Sequence, residues 1–139
     1  MAFEYEITLK VPFHDLDPLR LVWHGNYFKY FDRARFALFE AAGVDLYRYL
    51  TENHYVFPVT RTSAKYIAPL RANDEFICKA AVAETRYKIA LDFEIRRLPD
   101  GALCARARSE QVAVKLPDME LDFEIPVDIR KALGACDGQ

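Results

Sequence analysis

Polar and apolar residues alternate strictly at the start of the chain. Phe3, Tyr5, Ile7, Leu9 and Val11 fall on one side, and Glu4, Glu6, Thr8 and Lys10 on the other. A period of two marks a strand with one buried face. From Asn26 to Ala42 the period lengthens. At about 100° per residue, Tyr27, Phe28, Tyr30, Phe31, Ala34, Ala37, Leu38, Phe39, Ala41 and Ala42 share an arc of roughly 200°. Lys29, Asp32, Arg33 and Glu40 occupy the remainder, with Phe36 intruding among them. So broad a stripe predicts a helix covered by other structure on most sides, ended by Gly43 at the C′ position. Arg35 is the one charge inside the apolar arc. An unpaired buried charge is costly, so it is expected to meet a carboxylate in a structural role.

Residues 45–53 suit a short second helix, and strands are expected over about 56–68, 75–84, 87–97 and 103–116. In the third of these, Tyr87, Ile89, Leu91, Phe93 and Ile95 alternate with Lys88, Ala90, Asp92, Glu94 and Arg96. Pro69 with Asn73-Asp74, and Pro99-Asp100-Gly101, signal turns. Pro126 opens a final helical turn over residues 127–133. A strand, a long helix and then consecutive strands joined by tight turns is an α+β order with an antiparallel sheet, in a single domain over residues 1–139. One sheet covers one side of such a helix and leaves edges, so a partner subunit is expected.

Composition narrows the classes. With 52% hydrophobic and 29% charged residues, the 139-residue chain can bury a core. Lysine and arginine total 19 against 21 acids, a net charge of −2, which points away from nucleic acid as a partner. No run of about 18 apolar residues occurs, so no membrane span is expected. The opening MAFEYEITLK carries glutamates and lacks the apolar segment of a signal peptide. Cys78, Cys104 and Cys136 are odd in number and far apart, which suits neither a disulfide framework nor a CxxC pair. A reducing, cytoplasmic location is the expectation.

The glycine-rich, HExxH and GxSxG signatures of nucleotide-binding folds, zincins and α/β-hydrolases are absent. Candidate chemistry gathers in FHDLDPLRLVWHGNYFKYFDRAR, residues 13–35. Asp15 and Asp17, between Pro12 and Pro18, either shape a turn or poise a carboxylate beside a helix N-terminus. With His14 they also form a conceivable metal set, but no second ligand cluster supports it. At His24-Gly25-Asn26 the first helical turn has unpaired N–H groups and partial positive charge, able to polarise a carbonyl. Gly25 admits close approach to the backbone, while Asn26 can equally be a simple N-cap. His24 alone says little about a side-chain base. Period two puts Arg86, Lys88 and Arg96 on one face, either a solvated strand face or a phosphate site.

The stretch from Asp15 to Arg35 resembles the 4-hydroxybenzoyl-CoA thioesterase family of hotdog-fold acyl-CoA thioesterases, including its Tol–Pal-associated branch. The matching residues are Asp15-Leu16-Asp17, Val22-Trp23-His24-Gly25-Asn26-Tyr27 and Asp32-Arg33-Ala34-Arg35. SAKYIAPLRANDEF, residues 63–76, resembles the family's second motif, and a weaker likeness runs to about residue 130. The resemblance implies a long central helix wrapped by a curved antiparallel sheet. It also implies a homodimer with sheets joined edge to edge, often doubled to a homotetramer, and an active site at the dimer interface. Carried over, Asp17 is the catalytic carboxylate, as nucleophile or general base. The backbone at His24 and Gly25 donates to the thioester carbonyl, and Arg86 and Lys88 meet the phosphates of CoA. Phe13, Trp23 and Tyr27, close to the motif, are expected in the acyl pocket. An acyl-CoA or acyl-carrier-protein substrate is implied, with no metal and no cofactor. Arg20 stands where many relatives have Gly, which implies a different loop conformation or a charge near the pocket mouth. A hotdog dehydratase using His24 and Asp32, and a non-catalytic acyl-CoA-binding module, are the alternatives.

Overall fold

The computed structural model describes residues 3–134; Cys136 lies outside the described residues. The alternating N-terminal segment is strand β1 (Glu4–Lys10), and the broad-striped segment is helix α1 (Tyr27–Ala41). There follow α2 (Leu46–Asn53), β2 (Tyr55–Val56), β3 (Val59–Tyr66), β4 (Glu75–Glu84), β5 (Ile89–Arg97), β6 (Leu103–Gln111), β7 (Ala113–Lys115), β8 (Glu120–Asp122) and α3 (Val127–Ala132). Five strands form one antiparallel sheet in the order β1-β4-β5-β6-β3, and β2-β7-β8 form a small second sheet.

The expected strands 56–68 and 103–116 are each broken in two. Val112 donates its N–H to the carbonyl of Pro58, so both chains turn at the same place, out of the large sheet and into the small one. β8 was not foreseen. Its three residues pair with β7, and the alternation Glu120-Leu121-Asp122-Phe123-Glu124-Ile125 is the signal the sequence carries for it.

Register explains the core. Phe93 opposes Ala80 and Ala107, and Ile95 opposes Cys78 and Ala105, so large side chains face small ones across the inner face. α1 lies on that face. Phe31 packs on Phe93 with ring centroids 5.1 Å apart, and Tyr30 on Phe76 at 4.9 Å. Leu38 and Ala34 are buried beside them. Burying each large apolar side chain contributes roughly 1.5–3 kcal/mol. The helix ends as its sequence requires. Gly43 takes φ 79°, its N–H reaches the Glu40 carbonyl, and the Val44 N–H reaches Phe39, which together form a Schellman motif.

The helix is less enclosed than its stripe suggests, because Phe28 and Phe36 are exposed on its outer side within the single chain. Arg35 is buried. It pairs with Asp32, donates to Ser109 Oγ at 2.7 Å and lies over the Phe93 ring at 5.5 Å. Its Nε has no hydrogen-bond partner among the described residues. Both edge strands of the large sheet are open on one side, and β3 is exposed along nearly its whole length. Among the described residues no helix is long and apolar enough to cross a membrane.

Candidate active site

Between β1 and α1 the chain makes a small hairpin. Leu16 bridges Val22, the Asp17 N–H donates to the Leu21 carbonyl at 2.8 Å, and the Trp23 N–H to the Asp15 carbonyl at 3.0 Å. The hairpin is anchored to the body of the protein through Leu21, which bridges Arg71, and through the Val22 N–H, which donates to the Leu70 carbonyl at 2.9 Å. At its tip Arg20 has φ 64°. The different loop conformation expected for Arg20 is therefore not found: the residue adopts the left-handed backbone that favours Gly, and its side chain is exposed.

Asp17 sits just inside this tip. Its Oδ1 accepts the N–H groups of Leu19 at 2.8 Å and Leu21 at 3.3 Å. Oδ2 carries no hydrogen bond among the described residues. Asp15 behaves differently from the turn-shaping acid foreseen. It is buried, with Oδ1 accepting from Lys29 Nζ at 2.6 Å and Oδ2 from Tyr30 OH at 2.7 Å. Burial raises the Asp15 carboxyl, but the bonds from Lys29 and Tyr30 and the Lys29 charge outweigh it and hold the group below its usual range. Among the described residues no group of three or more His, Cys, Asp or Glu side chains is placed to hold a metal ion.

The hairpin leads into a short 3-10 turn, His24–Asn26, that runs directly into α1. The first N–H in this turn to find a carbonyl is that of Asn26, bonded to Trp23 O at 2.8 Å. The N–H groups of His24 and Gly25 precede it and have no acceptor among the described residues. Gly25 does admit a close approach, and the approaching group is the chain's own Trp23. A Cβ on Gly25 would lie 2.2 Å from that ring.

A cleft of about 240 Å³ brings these pieces together. Asp17, Leu21, Val22, His24 and Tyr27 line one side, and Tyr66, Ile67, Ala68 and Pro69 the other. Tyr66 belongs to the second motif, SAKYIAPLRANDEF, which by itself gives no sign that this residue reaches the site. Its O–H donates to the His24 carbonyl at 3.2 Å, and its ring meets Tyr27 at 5.0 Å. Burial pushes the Tyr27 phenol up to about 12, so it stays protonated at neutral pH. Larger hollows on the outer face of the sheet, about 540 Å³, and beside Phe36 and Tyr47, about 610 Å³, are lined without Asp17, His24 or Tyr27.

The remaining candidates lie elsewhere. Phe13 and Trp23 are exposed and do not line the cleft. Arg86 and Lys88 lie in the turn between β4 and β5 rather than on a strand face, paired with Glu124 at 3.3 Å and Glu110 at 3.1 Å. β1 meets β4 at Lys10–Glu75, so this turn is the whole length of β4, about 30 Å, from the Asp17 hairpin. Cys78 and Cys104 are buried free thiols. Burial drives the Cys78 thiol up to about 12, which leaves it inert as a nucleophile.

Comparison with known proteins bears on the fold and the family. The chain is 27% identical over 131 residues to the chloroplastic acyl-acyl carrier protein thioesterase ATL3 of Arabidopsis thaliana, covering 94% of this chain and 67% of that protein. A 1,4-dihydroxy-2-naphthoyl-CoA thioesterase from Synechocystis superposes with a TM-score of 0.87 at 18% identity, over 96% of this chain and 98% of the other. The 4-hydroxybenzoyl-CoA thioesterase of Pseudomonas sp. strain CBS-3 gives 0.83 at 23% identity, over 94% and 99%. These two structures establish a shared hotdog fold. A family model described as thioesterase-like superfamily matches residues 11–133, nearly the whole chain. The chain belongs to the thioesterase-like superfamily and is a thioester hydrolase of the hotdog fold.

Proposed function

We propose that the protein hydrolyses acyl-CoA or acyl-carrier-protein thioesters in the cleft between the Asp17 hairpin and Tyr66. The carrying observation is one carboxylate with an uncommitted oxygen, Asp17 Oδ2, in the same cleft as a helix start whose first N–H groups are open. With the thioester carbonyl at the N–H groups of His24 and Gly25, charge developing on its oxygen meets donors already aimed and the positive end of α1. Asp17 supplies the attack. Either its oxygen adds to the carbonyl carbon, the C–S bond breaks, and water then hydrolyses the acyl-aspartyl anhydride, or it takes the proton of a water that adds to the carbonyl carbon before the C–S bond breaks; in both routes the water ends in the carboxylic acid and supplies the proton of the released thiol.

The open edge of β3 supports a homodimer in which two β3 strands pair about a two-fold axis. Such pairing is antiparallel and sets the Val59 end of one chain beside the Tyr66 end of the other. Lys88 and Arg86 adjoin the Val59 end through Ile89 and Gln111. In a dimer of this kind they stand about three strand spacings, some 14 Å, from the other chain's cleft. In that reading CoA phosphates meet Arg86 and Lys88 of the partner chain, and Phe13 and Trp23 become the rim of an acyl site closed by it. The dehydratase alternative finds no support, because Asp32 is engaged with Arg35 and the His24 ring meets Trp23 and Tyr66 instead.

The test is thiol release across a panel of aryl- and alkyl-CoA substrates and acyl-carrier proteins. Asp17→Asn is expected to lower kcat by about 10²–10⁴-fold with the fold and assembly unchanged. Near-normal hydrolysis by that variant, or tight acyl-CoA binding by the native chain with no thiol released, refutes the proposal.

A further inference from the structure

Asp15 stands two residues before the carboxylate assigned to the chemistry, and none of its acceptors is idle. Its side chain is 2% exposed and takes Lys29 Nζ on one oxygen and Tyr30 OH on the other. Its carbonyl takes the Trp23 N–H at 3.0 Å and Asn26 Nδ2 at 2.9 Å. Three of the four donors, Asn26, Lys29 and Tyr30, belong to the helix start or the first turn of α1, and the fourth, the Trp23 N–H, closes the base of the hairpin. Asp15 itself belongs to the hairpin that carries Asp17.

The two halves of the site are therefore joined chiefly through this residue. The hairpin is stitched internally by Asp17–Leu21 and Leu16–Val22, which makes it a unit that can pivot. Its other ties, Leu21–Arg71 and Val22–Leu70, run to the segment before β4 and not to α1. Hydrogen bonds to an ionised carboxylate are the strong, short kind, and Lys29 at 2.6 Å and Tyr30 at 2.7 Å fit that description. Tyr30 is in turn fixed by packing on Phe76 in the core.

We propose that Asp15, with Lys29 and Tyr30, is a positioning residue for thioester hydrolysis: it holds the Asp17 carboxylate and the His24–Gly25 N–H groups at one fixed spacing. This inference rests on the function proposed above and adds a residue to it. Attack on a carbonyl needs the nucleophile and the oxyanion donors in register, and a displacement of about 1 Å is enough to cost about 10²-fold in rate. Asn at position 15 keeps the size and the backbone bonds but removes the charge. Its oxygen can still accept from Lys29, and its amide nitrogen then faces the Tyr30 hydroxyl, whose O–H must turn away to accept; both bonds lose the charge that made them strong. The hairpin stays folded and loses its fixed angle to α1.

The experiment uses the full chain and four variants, Asp15→Asn, Lys29→Met, Lys29→Arg and Asp17→Asn. Sites are first titrated with a non-hydrolysable acyl-CoA thioether, and kcat is then expressed per titrated site, so that unfolded protein does not count. Asp15→Asn is expected to bind one analogue per chain with Kd within about 3-fold of native, while kcat per site falls by about 30–100-fold. Lys29→Met should lower kcat per site by about 5–20-fold and Lys29→Arg should recover most of it, since the charge-assisted bond is restored. If Asp17→Asn is inactive and Asp15→Asn keeps native kcat per site, Asp15 is a structural residue only and the proposal fails. If Asp17→Asn itself keeps turnover, the underlying assignment of the chemistry fails instead. Should Asp15→Asn not fold, the Lys29 pair decides: equal kcat per site for Met and Arg overturns the positioning role.

Discussion

Arg35 and Asp32 offer a prediction that runs against intuition: removing the buried cation should cost less than removing its exposed-side partner. Arg35 is 5% exposed, with Nη1 on Asp32, Nη2 on Ser109 and Phe93 beneath it. Burial pulls its pKa below the ordinary arginine value while Asp32 opposes that pull, yet an arginine stays charged in a protein. In Arg35→Met the protein loses a half-exposed ion pair, about 0.5–1 kcal/mol, a cation–π contact, about 0.5–1, and the donor to Ser109, about 1. Against this it no longer buries a charge or the unpartnered Nε, which alone is a penalty of about 1–3 kcal/mol. The terms nearly cancel, so Arg35→Met should lie within about 1 kcal/mol of native. Asp32→Ala keeps every penalty and removes the countercharge. Breaking a fully buried pair costs about 3–5 kcal/mol; with Asp32 half exposed, roughly 2 kcal/mol is expected. Urea unfolding at one fixed protein concentration, needed because assembly couples to stability, reads both. At a slope near 2 kcal/mol/M, Asp32→Ala should lower the midpoint by about 1 M and Arg35→Met by less than about 0.5 M. A larger loss for Arg35→Met than for Asp32→Ala would refute the reasoning and make the guanidinium a net anchor of the core.

Asp15 carries a pH dependence. Its carboxyl lies lower when folded than the ordinary 3.8, so its contribution is present above that value and is lost as pH falls through the folded one. Thermal melts from pH 6 downward should show a steeper acid loss for native protein than for Asp15→Asn below about pH 4, and parallel curves would contradict this. Gly25→Ala must push the Trp23 ring aside. The ring is half exposed, so stability should change by less than about 1 kcal/mol, while the emission of the chain's single tryptophan shifts; unchanged emission would show that the ring does not rest on Gly25. Arg20→Gly removes a left-handed conformation from a residue with a Cβ, a relief of about 1–2 kcal/mol, offset by the freer unfolded chain, about 0.4–1. A net gain of about 0.5–1 kcal/mol in chemical unfolding is expected, and a loss would mean that the Arg20 side chain makes stabilising contacts.

What could be read from the sequence was set by short-range pattern. The stripe of α1 and the alternation of β5 are local statements of which side faces the core, and Phe31, Leu38, Leu91 and Ile95 are buried accordingly. The breaks at Pro58 and Val112 escaped because each is fixed by the other, across more than fifty residues. Lys29 and Asp15 escaped for a related reason. Lys29 reads as one more solvated charge on a helix, and only the hairpin's return to α1 turns it into the partner of a buried acid. The candidate site was half legible. Asp17, His24, Gly25 and Tyr27 are near neighbours in the chain, and three of them line one cleft. Tyr66 reaches that cleft only because the end of β3 meets the helix start. Arg86 and Lys88 sit at the far end of the sheet, a separation no motif discloses.

The cleft draws its lining from two short segments, residues 21–27 with Asp17 and residues 66–69. The side chains that close the core under α1, such as Phe76, Ile89, Leu91 and Ile95, are not among them. Selection for a new substrate and selection for a durable fold therefore act on nearly separate sets of positions. Leu21, Ile67, Ala68 and Pro69 can be exchanged to reshape the pocket while the inner face of the sheet is left alone. Tyr27 and Val22 are the positions where the two demands collide, since both are buried in the core and also line the cleft. A lineage that changes its substrate by way of Tyr27 or Val22 must repair its packing in the same step, and one that works through the other four need not.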